Sequence, residues 1–118
     1  MPTLALVALG GALGALARAA VVSGFGEHPW WGTLAVNIVG CLAIGYLLVV
    51  LRGSPRADAW MPFAVTGVLG GFTTFSALAL DTVVLLDTEP ATAAVYLGAT
   101  LVVGLLAVPL GEILAGRR

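Results

Sequence analysis

The chain has 118 residues, 60% of them hydrophobic and 9% charged, with a mean hydropathy of +1.10 and a formal net charge of −1. A soluble domain needs roughly a quarter of its residues charged to cover its surface, so five arginines, no lysine and six acidic residues exclude a soluble enzyme. They also exclude a nucleic-acid binder, which needs a basic patch, and a disordered chain, which needs low hydrophobicity.

A helix crosses a hydrocarbon core about 30 Å thick with about 20 mainly apolar residues. Four runs meet that requirement, and the links between them are too short to separate domains, so residues 1–118 form one membrane domain. The first run extends from about Leu4 to Val22. A cleaved signal peptide is not expected, because residues 1–10 lack the positive charge such a leader carries. Gly10 and Gly14 make a small-xxx-small pair suited to helix contact. Arg18 is the only charge in the run, and it must snorkel, line a wet vestibule that concentrates anions, or bond to backbone carbonyls.

Gly24, Gly26 and Pro29 then break the chain, and the second run extends from about Thr33 to Leu51. Asn37 brings a primary amide with two donors into this apolar span. Thr33 lies four residues earlier on the same helical face. Asn37 either offers donors to an anion that has shed its water or serves as polar glue between helices. Cys41 is the only cysteine, which excludes an intrachain disulfide and leaves a small buried hydrophobe. His28 sits in a loop, solvated and without metal-ligand partners.

After Gly53, Ser54 and Pro55 the third run extends from about Trp60 to Leu86. It contains Gly67-Val-Leu-Gly70-Gly71-Phe72-Thr73-Thr74-Phe75-Ser76. Glycines hold a helix poorly and hydroxyls offer the backbone other partners, so a break or unwound turn is expected here, at mid-membrane depth. Irregular backbone at that depth has to be covered by protein or line a cavity. Its freed carbonyls are ligands for a cation and its freed N–H groups attract anions. The alternative is a close-packed helix crossing in which the glycines serve contact. Asp81, near the end of this run, reads as interfacial.

Glu89 and Pro90 end the third link, and the fourth run extends from about Ala91 to Leu114. Tyr96, Thr100 and Gly104 recur every four residues and so share one face, a mildly polar stripe that packing alone would explain. Trp30, Trp31 and Trp60 fall at segment ends, where amphipathic rings prefer the headgroup level. Four crossings put both termini and the second loop on the side that carries Arg52, Arg56, Arg117 and Arg118. The positive-inside rule then places both termini in the cytoplasm.

Three elements in order, Gly10-Gly11-Ala-Leu-Gly14-Ala-Leu-Ala-Arg18, Gly32-Thr33-Leu-Ala-Val-Asn37-Ile-Val-Gly40 and Gly70-Gly71-Phe72-Thr73-Thr74-Phe75-Ser76, resemble the small fluoride channels known as Fluc or CrcB proteins. The resemblance covers nearly the whole chain. It implies a channel that passes fluoride out of the cell and so relieves its toxicity, built as an antiparallel dimer with two pores and a central Na+. By position, Gly70 and Thr73 match the residues whose carbonyls hold that Na+, and Asn37, Phe75, Ser76, Tyr96 and Thr100 match the pore. Arg18 matches the vestibule arginine, with Thr33 near it. Fluoride holds its water tightly, so a pore must replace that shell with donors, and an aromatic ring is positive at its edge. Binding must also be weak enough for the ion to leave.

The family pattern usually continues Phe-Ser-Thr-Phe, whereas this chain reads Phe75-Ser76-Ala77-Leu78. Leu78 stands where a second pore phenylalanine is expected, and Ala77 replaces a hydroxyl. With the arginine bias, this suggests a subunit of fixed orientation that pairs with a paralogous partner. A homodimer that tolerates Leu78 and a non-conducting assembly subunit are the alternatives. A small proton-coupled cation exporter, also of four helices, needs a carboxylate in the first span, and none is present there.

Overall fold

The computed structural model describes residues 2–116, and every regular element among them is helical. The chain runs through α1 (Thr3–Ser23) and α2 (Pro29–Leu51) into a composite third span. That span consists of α3 (Ala57–Trp60), a π-helical stretch (Met61–Leu69), α4 (Gly70–Phe72) and α5 (Phe75–Thr88). The chain ends in α6 (Pro90–Leu114). Four stretches are long and apolar enough to cross a membrane: α1, α2, the 32 residues Ala57–Thr88, and α6. Arg117 and Arg118, two of the residues behind the expected orientation, lie outside the described residues.

The helix starts follow from proline. Pro29 and Pro90 sit in the first turns of α2 and α6, where a missing N–H removes a donor that has no helical partner anyway. Pro29 thus opens α2 four residues earlier than expected, and Trp30 and Trp31 fall in its first turn. Trp30 consequently packs, with Leu34, against a cluster of Leu78, Leu85, Ala93 and Tyr96 that joins α5 to α6.

Two other seams are made of backbone. A Cβ on Gly14 would collide with the Val68 carbonyl oxygen, and one on Gly71 with the Gly11 carbonyl oxygen. α1 and the first half of the third span therefore lie main chain to main chain. The α2–α6 crossing has the same character, with Gly45 against the Val108 carbonyl and Gly111 against the Leu42 carbonyl. Apolar tails compete equally for Leu or Val, so close backbone approach is what holds helices together in lipid. Outside the seams the surface is apolar: Leu4, Leu16, Leu80, Leu105, Leu106 and Ile113 are each at least 62% exposed. Apolar surface on that scale requires lipid or another chain. The fold is that of a multi-pass membrane protein.

Candidate functional site

The third span stops being helical at Thr73 and Thr74, near its middle. Thr73 has φ −82° and ψ 154°, and Thr74 has φ −151° and ψ 120°, so two consecutive residues are extended. Each threonine also supplies a side-chain bond that closes one end of the gap. The Thr73 hydroxyl donates to the Leu69 carbonyl at 2.8 Å, beside the Thr73 N–H bond to the same oxygen at 3.0 Å. The Thr74 hydroxyl oxygen caps α5 by accepting the Ala77 N–H at 3.1 Å, the usual task of a threonine at a helix start. Thr74 and Ser76 hydroxyls lie 3.2 Å apart and share a hydrogen bond.

Asn37 of α2 clamps the gap from the side. Its Oδ1 accepts the Thr74 N–H at 2.7 Å, and its Nδ2 donates to the Thr74 carbonyl at 3.0 Å. The amide pairs with an extended residue much as a neighbouring strand would. One Nδ2 hydrogen is left over. The two alternatives for the glycine-rich stretch are thus both realised, on different residues: Gly67 and Gly71 make the crossing with α1, and the threonines make the break.

Two recesses meet at this break. The larger, about 620 Å³, runs between α2, the third span and α6 and is mostly apolar, with Asn37, Thr73, Thr74 and Thr100 among its few polar walls. Gly70, Phe75 and Leu78 also border it. The smaller, about 440 Å³, gathers Arg18, Thr33, Ser76 and Asp81. Thr74 is a wall of both. The residues singled out in the sequence therefore divide: Asn37, Gly70, Thr73, Phe75 and Thr100 face the wide recess, and Arg18, Thr33 and Ser76 the narrow one.

Several of these groups already have partners. Tyr96 is fully buried, and its hydroxyl donates to Asp81 Oδ2 at 3.1 Å. Thr100 donates to the Tyr96 carbonyl at 2.8 Å, and Thr33 to the Pro29 carbonyl at 3.4 Å. Phe75, by contrast, is 78% exposed at the rim of the wide recess. Sequence reasoning gave no role to Thr74 and placed Asp81 at an interface. A carboxylate inside an apolar run was the signal for Asp81, since such a group seeks a partner. Among the described residues no group of three or more His, Cys, Asp or Glu could hold a metal.

These features define a class: a small helical membrane protein whose third span is interrupted and clamped by a neighbouring amide. A family model described as CrcB-like protein, Camphor Resistance (CrcB), matches residues 5–112. A fluoride-specific ion channel FluC of Paracoccus denitrificans is 50% identical over 109 residues, which cover 89% of this chain and 87% of that protein. A FluC 2 of Thermobifida fusca is 46% identical over 112 residues, 91% of this chain and 83% of the relative. A FluC of Agrobacterium fabrum is 46% identical over 114 residues, 92% and 91% of the two chains. The chain belongs to the CrcB family, and these relatives are named as channels, not enzymes.

Proposed function

We propose that this chain is a subunit of a fluoride-specific channel that lets F− leave the cell down its gradient and so limits cytoplasmic fluoride. The observation that carries the reading is the Asn37–Thr74 clamp beside a recess rimmed by Phe75 and Thr100. It sets a neutral donor, hydroxyls and an aromatic edge at an interruption of the third span, which is expected at mid-membrane depth. A neutral lining replaces water around a small anion without the trap that a fixed cation would make. Arg18 in the narrow recess draws anions towards the entrance, and Ser76 follows it along the wall.

A pore open along one side needs covering. Phe75 and the apolar walls of the wide recess present that open side, so an antiparallel second copy or a paralogous subunit closes it. In this reading Gly70 and Thr73 carbonyls hold the central Na+, whose charge would steady the assembly and raise the local potential for anions. The fit rests on chemistry: an interrupted helix takes backbone oxygens out of the hydrogen-bond ladder, and hard cations take oxygen ligands. Both termini lie in the cytoplasm in this arrangement.

A partner-dependent subunit is favoured by one specific observation. Leu78, at the position of the missing phenylalanine, is 4% exposed and packed against Leu85 and Tyr96, so the exposed face offers Phe75 as its aromatic edge. Fluoride efflux from liposomes that hold this chain alone, then this chain with a paralogue, tests both readings. Efflux is expected in at least one case, and none in either would end the proposal. Asn37→Asp should abolish it, because a buried carboxylate repels the anion in a low-dielectric site. Phe75→Ile should slow it strongly while assembly persists, and an unchanged rate would take that ring out of the path.

A further inference from the structure

In an unbroken helix each carbonyl accepts the N–H four residues on. The donor due to the Gly70 carbonyl is the Thr74 N–H, and the donor due to the Thr73 carbonyl is the Ala77 N–H. Both are diverted to side chains: the Thr74 N–H goes to Asn37 Oδ1 at 2.7 Å, and the Ala77 N–H goes to Thr74 Oγ1 at 3.1 Å. Phe75 and Ser76 open α5, so their N–H groups are drawn away from the Gly71 and Phe72 carbonyls too, but by the break itself and not by a side chain. We infer that Asn37 and Thr74 are positioning residues for a monovalent cation, whose side chains release the Gly70 and Thr73 carbonyls by taking over their helical donors. This rests on the cation reading above, and it adds which side chains create the ligands.

Peptide geometry supplies a direction as well. The Thr73–Thr74 peptide is trans, since the chain has no cis bond among its described residues. In a trans peptide the C=O and N–H point opposite ways. Asn37 holds the Thr74 N–H towards α2, so the Thr73 carbonyl points away from Asn37. The same amide therefore holds two successive peptides: its Oδ1 fixes the Thr73–Thr74 plane and so aims the Thr73 carbonyl, and its Nδ2 bonds the Thr74 carbonyl of the next plane. Thr74→Val keeps the shape and removes the cap acceptor, which returns the Ala77 N–H to the Thr73 carbonyl. Asn37→Ala returns the Thr74 N–H to the Gly70 carbonyl. Thr74→Ser keeps the acceptor oxygen.

The test is the thermal unfolding midpoint of the purified full-length chain, titrated with NaCl at constant ionic strength made up with N-methylglucamine chloride. Wild type is expected to gain stability with sodium. Asn37→Ala and Thr74→Val are each expected to raise the half-saturating sodium concentration about tenfold, equivalent to roughly 1.4 kcal/mol, and Thr74→Ser to remain near wild type. A purely structural role would lower the midpoint at zero sodium without moving that concentration. If Thr74→Val does not yield folded protein, Thr74→Ala removes the same oxygen without branched bulk, and Asn37→Ala tests the other carbonyl independently. A wild-type sodium response that persists unchanged in the substituted chains overturns the inference alone. The lack of any sodium response in wild type overturns the cation reading with it, whatever the fluoride efflux.

Discussion

Met61–Phe72 lies main chain to main chain against α1, whereas Phe75–Thr88 meets α6 through side chains. One span thus changes its neighbour and its mode of packing between Phe72 and Phe75, and the two extended threonines occupy that interval. A straight helix would carry one crossing geometry through both contacts. The interruption lets each half choose its own, and Asn37 from α2 fixes the joint with two bonds to Thr74. The break is thus a joint between two packing regimes as well as a source of free backbone groups. The two halves should tolerate substitution unequally, because a backbone seam has no side chain that can move aside, while a side-chain seam can repack.

The largest expected effect is at the backbone seam. Gly71→Ala sets a methyl group against the Gly11 carbonyl, and Gly14→Ala sets one against the Val68 carbonyl, so the helices must separate. Overpacking costs about 1–3 kcal/mol, and the upper end applies where only backbone is in the way. Both variants should lose most of their monodisperse protein on size-exclusion chromatography. Gly98→Ala in α6 is the control, since a Cβ there meets nothing within 4 Å in the chain, and it should keep wild-type helical content. If Gly98→Ala and Gly71→Ala behave alike, the seam is not what holds the first half.

Leu85→Ala probes the second half and should cost less. Leu85 is 1% exposed in the cluster that joins α5 to α6. Truncating a buried leucine costs about 2–5 kcal/mol in water-soluble cores. Roughly 2 kcal/mol is expected here, because lipid replaces water as the competing environment and only packing is lost. Thermal unfolding in detergent checks it. A loss equal to that of Gly71→Ala would erase the distinction between the halves.

What the sequence made legible follows the same division. The four spans were readable because apolar runs and their Gly and Pro interruptions are local signals, and so was the expectation of a break somewhere in Gly67–Ser76. Its place was not, because glycine is the conspicuous helix breaker and here Gly67 and Gly71 serve contact, leaving the break to Thr73 and Thr74. Asn37 stood out as a buried amide, but its partner is 37 residues away and no helical spacing points to it. The exposure of Phe75 is equally non-local, since it depends on which face the neighbouring helices leave open.

The smallest effect expected is at the bond between α5 and α6 in which Tyr96 donates to Asp81. A hydrogen bond to a charged acceptor contributes about 1.5–3 kcal/mol when nothing else can serve that acceptor. Asp81 is only half-buried and shares its recess with Arg18, so water and the guanidinium can take up part of the loss. Tyr96→Phe should therefore cost about 1 kcal/mol, read as a small drop in the unfolding midpoint. The ring still fills its buried site, so packing is not confounded with the bond. A double-mutant cycle with Asp81→Asn isolates the pair, and its coupling should be on the order of 1 kcal/mol. Repeating the cycle in Arg18→Gln should enlarge it, because the compensating charge is gone. A coupling near zero in both backgrounds would mean that the second half is tied to α6 by Leu78 and Leu85 alone, which would make the contrast with the backbone seam sharper still.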